Sequence, residues 1–308
     1  MTAILDGAPR LQRNWDSRAA CNFIGGGAGT GLLLASAAAL PAGSNYFPSA
    51  LLAVALIGFG LSMVWLEIGR PFRALNVFFH PQTSWMTREA LLSVPLFALA
   101  GIAILADQRL VPLPFQARVP VAGLASAAAA VGLAFMFCQA RMLRASRGVP
   151  AWREPALQAV IIATGIAEGL GLLLVVSLFV APPPAWVAPA AIAALVARAI
   201  AWEYYRQRLQ TWAPAAAVAA LHRISLPLQL VGHLLPAALL GAAIIAPVSQ
   251  LPTAVAGLAV FATGAWLKLT VVTRAGFTQG FTIPFVPSRG RNPAETTRWP
   301  PQITQPGR

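Results

Sequence analysis

The stretch LQAVIIATGIAEGLGLLLVVSLFV, residues 157–180, decides the fold: across its 24 residues a single side chain, Glu168, is charged. A helix of about 20 apolar residues crosses the roughly 30 Å of hydrocarbon in a bilayer. Runs of the same kind recur along the whole chain, so no separate soluble domain is expected. The composition agrees, with 57% hydrophobic and 10% charged residues, where a soluble domain is about 25% charged. One soluble core cannot bury that much apolar surface, but a bilayer can. The expected fold class is an all-α integral membrane protein.

Working outward from residue 157 in both directions gives eight transmembrane helices. Helix one is expected at about 19–40, helix two at 48–68, helix three at 88–106 and helix four at 119–141. Helix five is expected at about 155–181, helix six at 185–203, helix seven at 217–246 and helix eight at 251–273. Pro214, Pro227 and Pro236 punctuate helix seven, and each removes a backbone donor and can kink a helix. The chain then divides into an N-terminal segment 1–18, a membrane domain 19–273 and a Pro-, Gly- and Arg-rich tail 274–308. The first run, Cys21 to Leu40, exceeds the 7–15 apolar residues of a signal peptide and is read as a retained helix.

The net charge of +13 would suggest nucleic acid in a soluble protein. Here the basic residues fall between the apolar runs, as topology determinants do. Counting adjacent helix ends, the N-terminus, loops two–three, four–five and six–seven, and the C-terminus hold 3, 3, 4, 4 and 6 Lys/Arg, or 20 of the 22. The other side has only Arg109 and Arg118. An even number of spans puts both termini on one side, and the positive-inside rule makes that side the cytoplasm of a bacterial inner membrane. There is also an internal echo: Gly27-Ala28-Gly29-Thr30-Gly31-Leu32-Leu33-Leu34 against Ala167-Glu168-Gly169-Leu170-Gly171-Leu172-Leu173-Leu174. It suggests two four-helix halves of the same orientation.

Several chemistries are poorly served by the residues. Cys21 and Cys138 are too few for an iron–sulfur cluster, which usually takes four, and they form no CxxC pair for zinc. His222 and His233 are 11 residues apart on one helix, roughly 16 Å along its axis, and cannot share a haem iron. His80 lies in a loop before Pro81. Gly25-Gly26-Gly27-Ala28-Gly29 follows no strand, so it is not a dinucleotide fingerprint. With Gly31, Gly165 and Gly169 it forms small-xxx-small patterns that suit close helix packing in lipid.

Two groups of polar residues remain. Glu168 sits near the middle of helix five, where an ionisable side chain calls for a partner. His233 and Lys268 are the candidates, and a transporter with a midplane site around Glu168 is the competing reading. The denser group surrounds loop two–three: Glu67, Arg70, Arg73, Asn76, Trp85, Arg88 and Glu89. Glu67 and Glu89 fall at helix boundaries, where a carboxylate meets both lipid and water. Quinol oxidation needs such a combination, with an acid or base for its protons and an aromatic or apolar wall for its ring. An ordinary snorkelling basic loop would look the same. Loop four–five adds Arg141, Arg144, Arg147, Trp152 and Arg153, with Trp152 read as an interfacial anchor.

The stretches Glu67-Ile68-Gly69-Arg70-Pro71-Phe72-Arg73-Ala74-Leu75-Asn76 and Thr83-Ser84-Trp85-Met86-Thr87-Arg88-Glu89 resemble the membrane anchor subunit family of dimethyl sulfoxide reductase. The Val149-Pro150-Ala151-Trp152 turn resembles that family's Val-Pro-x-Trp. Within the family, residues 14–20 and 273–281 resemble the membrane subunit of phenylacetyl-CoA:acceptor oxidoreductase. The resemblance implies a subunit with no haem or cluster of its own, anchoring an iron–sulfur subunit and a molybdenum catalytic subunit. It also implies binding of a quinone or quinol, either menaquinone or ubiquinone. Carried over by position, the family's quinol-linked His falls on Glu67 and its helix-three glutamate on Glu89. Arg70, Arg73, Trp85 and Arg88 complete the expected site, with Glu168, His233, Arg144 and Trp152 as secondary candidates. A purely structural anchor, with quinone bound elsewhere, is the third reading.

Overall fold

The structure, a computed structural model, describes residues 8–68, 71–108, 121–246 and 249–280. Among these residues there are eight helices long and apolar enough to span a membrane. They are α1 (Ser17–Ala39), α2 (Tyr46–Ile68), α3 (Trp85–Asp107), α4 (Val121–Ala145), α5 (Ala156–Ser177) and α6 (Val187–Gln210). The last two are α7 (Ala215–Ile245) and α8 (Leu251–Thr273). A 3-10 helix, Pro71–Phe79, joins α2 to α3, and one helical turn, Pro150–Arg153, precedes α5.

Local chemistry sets the starts. Asp16 caps α1 by accepting from the Arg18 N–H at 2.7 Å. Ser84 caps α3 by accepting from the Thr87 N–H at 3.2 Å, so the Ser-Trp pair of the sequence motif is a helix start. Such caps stabilise by about 1 kcal/mol. Pro214 stands just ahead of α7. The interruption inside α7 is a π-turn, Leu230–Leu234, lying between Pro227 and Pro236.

α1, α5 and α8 form the centre, and α2, α3, α6 and α7 face outward more. α1 packs against α2, α4, α5 and α8, and α5 packs against α8 and α6. The two echoed segments are therefore in contact. A Cβ at Gly31 would overlap the Gly165 carbonyl, and one at Gly169 would overlap the Gly31 backbone. Small residues permit this close parallel crossing, since lipid offers no hydrophobic drive for helices to associate.

The arginine-bearing ends gather at one face. Gln12 Nε2 donates to the Val272 carbonyl at 3.2 Å, the Trp152 indole to the Val271 carbonyl at 2.8 Å, and the Tyr205 hydroxyl to the Ala151 carbonyl at 2.9 Å. Residues 10–12 pair with 276–278 through Gln12 N–H to Gly276 O and Thr278 N–H to Arg10 O, both 2.8 Å. Two cations assigned to this face from sequence are not there. Arg198 and Lys268, counted as helix ends, are fully buried inside the bundle. α6 continues to Gln210, seven residues beyond its expected end, which leaves Arg198 near mid-helix.

Candidate functional site

Trp85 and Glu89 are one turn apart on the same face of α3, about 6 Å along the axis. Arg88 and Arg141 both stack guanidinium groups on the Trp85 ring, at 4.1 and 4.7 Å from its centroid. Phe137 meets the same ring edge-on at 5.9 Å. Arg88 is also tied to the loop before α3, donating to the Pro81 carbonyl at 2.7 Å and the Gln82 carbonyl at 2.9 Å. Beside this stack Thr83, Trp85, Arg141, Arg144, Ala145 and Arg147 line a polar cavity of about 490 Å³. The Arg141 Nε is buried with no hydrogen-bond partner.

One turn deeper the chemistry changes. Glu89 was expected at the water boundary but is only 2% exposed, because α3 turns it inward between α1 and α4. Its Oε1 accepts from Asn22 Nδ2 at 3.1 Å and Gln139 Nε2 at 2.9 Å. Gln139 also donates to the Asn22 carbonyl at 3.0 Å. Gly26 makes room, since a Cβ there would strike the Gln139 amide. Asn22 Oδ1 and Gln139 Oε1 have no partner. A buried carboxylate held by amides, with amide oxygens to spare, has positions at which a proton could be taken up or passed on.

Glu67 is not part of this cluster. It is half-buried at the end of α2 and acts electrostatically on Arg18. Arg18 donates to the Leu66 carbonyl at 3.1 Å and pairs with Asp16 at 2.8 Å. That hydrogen bonding holds the Asp16 carboxyl below the usual aspartate range. Arg70 lies outside the described residues, as does the side chain of Arg73. Trp152 is not an interfacial anchor. It is buried, stacked on Trp15 at 5.1 Å, and fixes the one-turn helix to α8.

The secondary candidates form a second buried group. Glu168 pairs with Lys268, as one sequence alternative had it. His233 pairs instead with Arg198, accepting from its Nε at 3.0 Å on Nε2. His233 Nδ1 lies 2.9 Å from the Leu228 carbonyl, so the ring is the tautomer that donates there. Arg198 also donates to the carbonyls of Val260, at 3.3 Å, and Gly232. Pro236 supplies no N–H to the turn containing Gly232, which leaves that turn an acceptor for Arg198.

Sequence reading missed Asn22, Gln139 and Arg198. Arg198 carried a signal, being a lone charge inside the apolar run that begins at Val187. Asn22 and Gln139 carried little, because a single amide in an apolar helix has no spacing that marks it. No group of three or more metal-ligating side chains occurs among the described residues.

Eight apolar spans, with the interior carboxylates and cations held inside the bundle and arginines gathered at one face, define a polytopic integral membrane protein. The chain belongs to the DMSO reductase anchor subunit (DmsC) family, whose family model matches residues 44–226. The match runs from the end of the first span into α7 and includes both the Trp85 stack and Glu89. It makes this chain a membrane anchor of a DMSO reductase-type complex, working with other subunits. No curated protein matches the chain.

Proposed function

We propose that this anchor subunit binds a quinone at the arginine-lined cavity beside Trp85 and passes electrons between a partner's iron–sulfur cluster and the quinone pool. The observation that carries the reading is the vertical order of groups. Guanidinium donors and an aromatic face lie at the membrane boundary, and a buried carboxylate lies one turn beneath them. The residues suit a quinone headgroup, because the unpartnered Arg141 Nε offers a donor for a carbonyl and Trp85, on the cavity wall, offers an aromatic face.

A bound quinone supplies two-electron, two-proton chemistry. The chain's own part is then positional. Arg141 and Arg144 donate to the headgroup, and Trp85, pinned by Arg88, walls it. Glu89 holds or gives up a proton, with Asn22 and Gln139 fixing its orientation. Glu67, half-buried near Arg18 and outside this cluster, would exchange protons with water. Positioned general acid–base groups contribute about 10²-fold or more to rate. Glu168 is less suited to a transporter's substrate site, since Lys268 already occupies one of its oxygens.

The partners we assign are an iron–sulfur electron-transfer subunit and a molybdenum catalytic subunit, docked on the arginine-rich face. The narrower phenylacetyl-CoA:acceptor oxidoreductase reading rests on residues 14–20 and 273–281. Both lie outside the matched region, and their described residues, 14–20 and 273–280, are linked through Gln12, whose side chain donates to the Trp15 and Val272 carbonyls. A thioester of coenzyme A is a cytosolic substrate and fits a cytoplasmic arginine-rich face.

Glu89→Gln is the test. The amide keeps its size and leaves assembly intact, while quinone-linked turnover should fall about 10²-fold. Unchanged turnover in a fully assembled complex removes Glu89 from the mechanism.

A further inference from the structure

Lys268 is the one lysine in the chain; the other 21 basic residues are arginines. That lysine is fully buried in α8 and bonded to Glu168. The distinction matters, because arginine keeps its proton under all conditions in proteins and lysine does not.

Three polar layers share one face of α8, a turn apart. Arg198 reaches the carbonyl of Val260, Glu168 lies against Gly264, and Lys268 lies against Gly27 of α1. Positions 260, 264 and 268 fall on one side of a helix, spanning about 12 Å. Arg198 acts electrostatically on both Glu168 and Lys268. Its own hydrogen-bond acceptors are uncharged, namely His233 and two carbonyls. Gly27 of α1 lies against the Lys268 amine, and His233 of α7 is turned to Arg198.

The charge count is then restricted. Arg198 contributes one fixed positive charge. The cluster is neutral only when Glu168 is ionised and Lys268 is an uncharged amine. Adding one proton to the pair, on either partner, leaves one surplus positive charge in the hydrocarbon. An uncompensated interior charge is costly, so the protonated and unprotonated states are set against each other by Arg198. We propose that Lys268 and Glu168 form a buried one-proton exchange site, poised by the fixed charge of Arg198.

The surroundings differ towards the two faces. Thr164, one turn from Glu168 towards the arginine-rich end, has a buried hydroxyl with no partner, the kind of polar atom that a bridging water requires. Towards the opposite face, α5 and α8 close on each other at Gly171 and Gly257, where a Cβ on either would overlap the other's backbone. That crossing lies between the site and the cavity lined by Leu174, Pro183, Ala188 and Thr253.

A single lysine allows a direct test. The full chain, labelled with 15Nζ-lysine and placed in lipid nanodiscs, should give one side-chain amine resonance. Over the pH range in which tryptophan fluorescence shows the fold intact, that resonance should convert between its ammonium and amine positions. Arg198→Met should move the midpoint by about one pH unit or more, since one unit corresponds to about 1.4 kcal/mol of interaction. A resonance fixed at either position throughout overturns the proposal, and one fixed at the ammonium position makes the pair a permanent structural bridge. An unmoved midpoint in folded Arg198→Met overturns the part assigned to Arg198. The wild-type titration decides the exchange even if the variant does not fold.

Discussion

The side chains with the most chemistry in this protein are those whose surroundings are least written in their neighbours. Glu89 could be located from Ser84-Trp85-Met86-Thr87-Arg88-Glu89, but its inward direction depends on where α1 and α4 pass. Only the packed bundle supplies Asn22 and Gln139 as its donors. Their partnership has a measurable cost. Replacing Gln139 by Leu leaves the buried Glu89 oxygen with one donor instead of two. Loss of a partner from a buried polar group costs about 1–3 kcal/mol, so Gln139→Leu should unfold at lower temperature in mild detergent. Adding Glu89→Leu and Asn22→Leu to the same chain should recover part of that loss, because all three members of the cluster are then apolar. A triple variant less stable than Gln139→Leu alone would show that the cluster has other stabilising contacts. Arg198 teaches the converse lesson. Its type and place were in plain view, and only the expected end of helix six, at 203, made it a helix-end residue.

At the scale of the helix, sequence reading was close for every span, because about 20 apolar residues in lipid have one way to satisfy their backbone. Boundaries moved where polar side chains continue the helix, as with Glu203, Arg206 and Arg208 at the end of α6. The prolines of α7 were visible, but the π-turn was not, since it reflects the meeting of His233 and Gly232 with Arg198 on another helix. The glycine patterns named the crossing surfaces without naming which helices cross. The structure pairs Gly31 with Gly165 and Gly169, joining the two echoed segments. Gly169→Ala places a methyl group in the backbone of α1 and should sharply lower the yield of folded protein. Gly101→Ala on α3 meets nothing within 4 Å. It should be neutral or raise the thermal midpoint slightly, since alanine favours a helix over glycine by about 1 kcal/mol. Fluorescence-detected size exclusion of the two variants side by side reads both expectations. Equal yields would mean that the α1–α5 crossing tolerates a wider separation than the structure shows.

Across the whole molecule, charge and packing give related but separate constraints. Moving Arg198 and Lys268 inside the bundle takes two cations from the twenty counted at one face, and eighteen against two is still strongly one-sided. The contacts that join α1, α2, the one-turn helix before α5, α6 and α8 at that face, including Arg18 to Leu66, Trp152 to Val271 and Tyr205 to Ala151, agree that these helix ends belong together. The pairing of residues 10–12 with 276–278 then holds the beginning and end of the bundle side by side. Which way that face points is a matter of how a membrane sorts arginine, not of how the helices pack. On the positive-inside rule we propose that it faces the cytoplasm. A green fluorescent protein joined after Arg308 should therefore fluoresce, and an alkaline phosphatase joined at the same position should be inactive. The reverse pattern would place the arginine-lined cavity and the Trp15–Trp152 stack outside the cytoplasm. Any iron–sulfur partner would then have to be exported before it could dock, and a coenzyme A thioester could not be its partner's substrate. The same two fusions thus test the orientation and the narrower substrate reading together, while leaving the assignment of Glu89 to its own experiment.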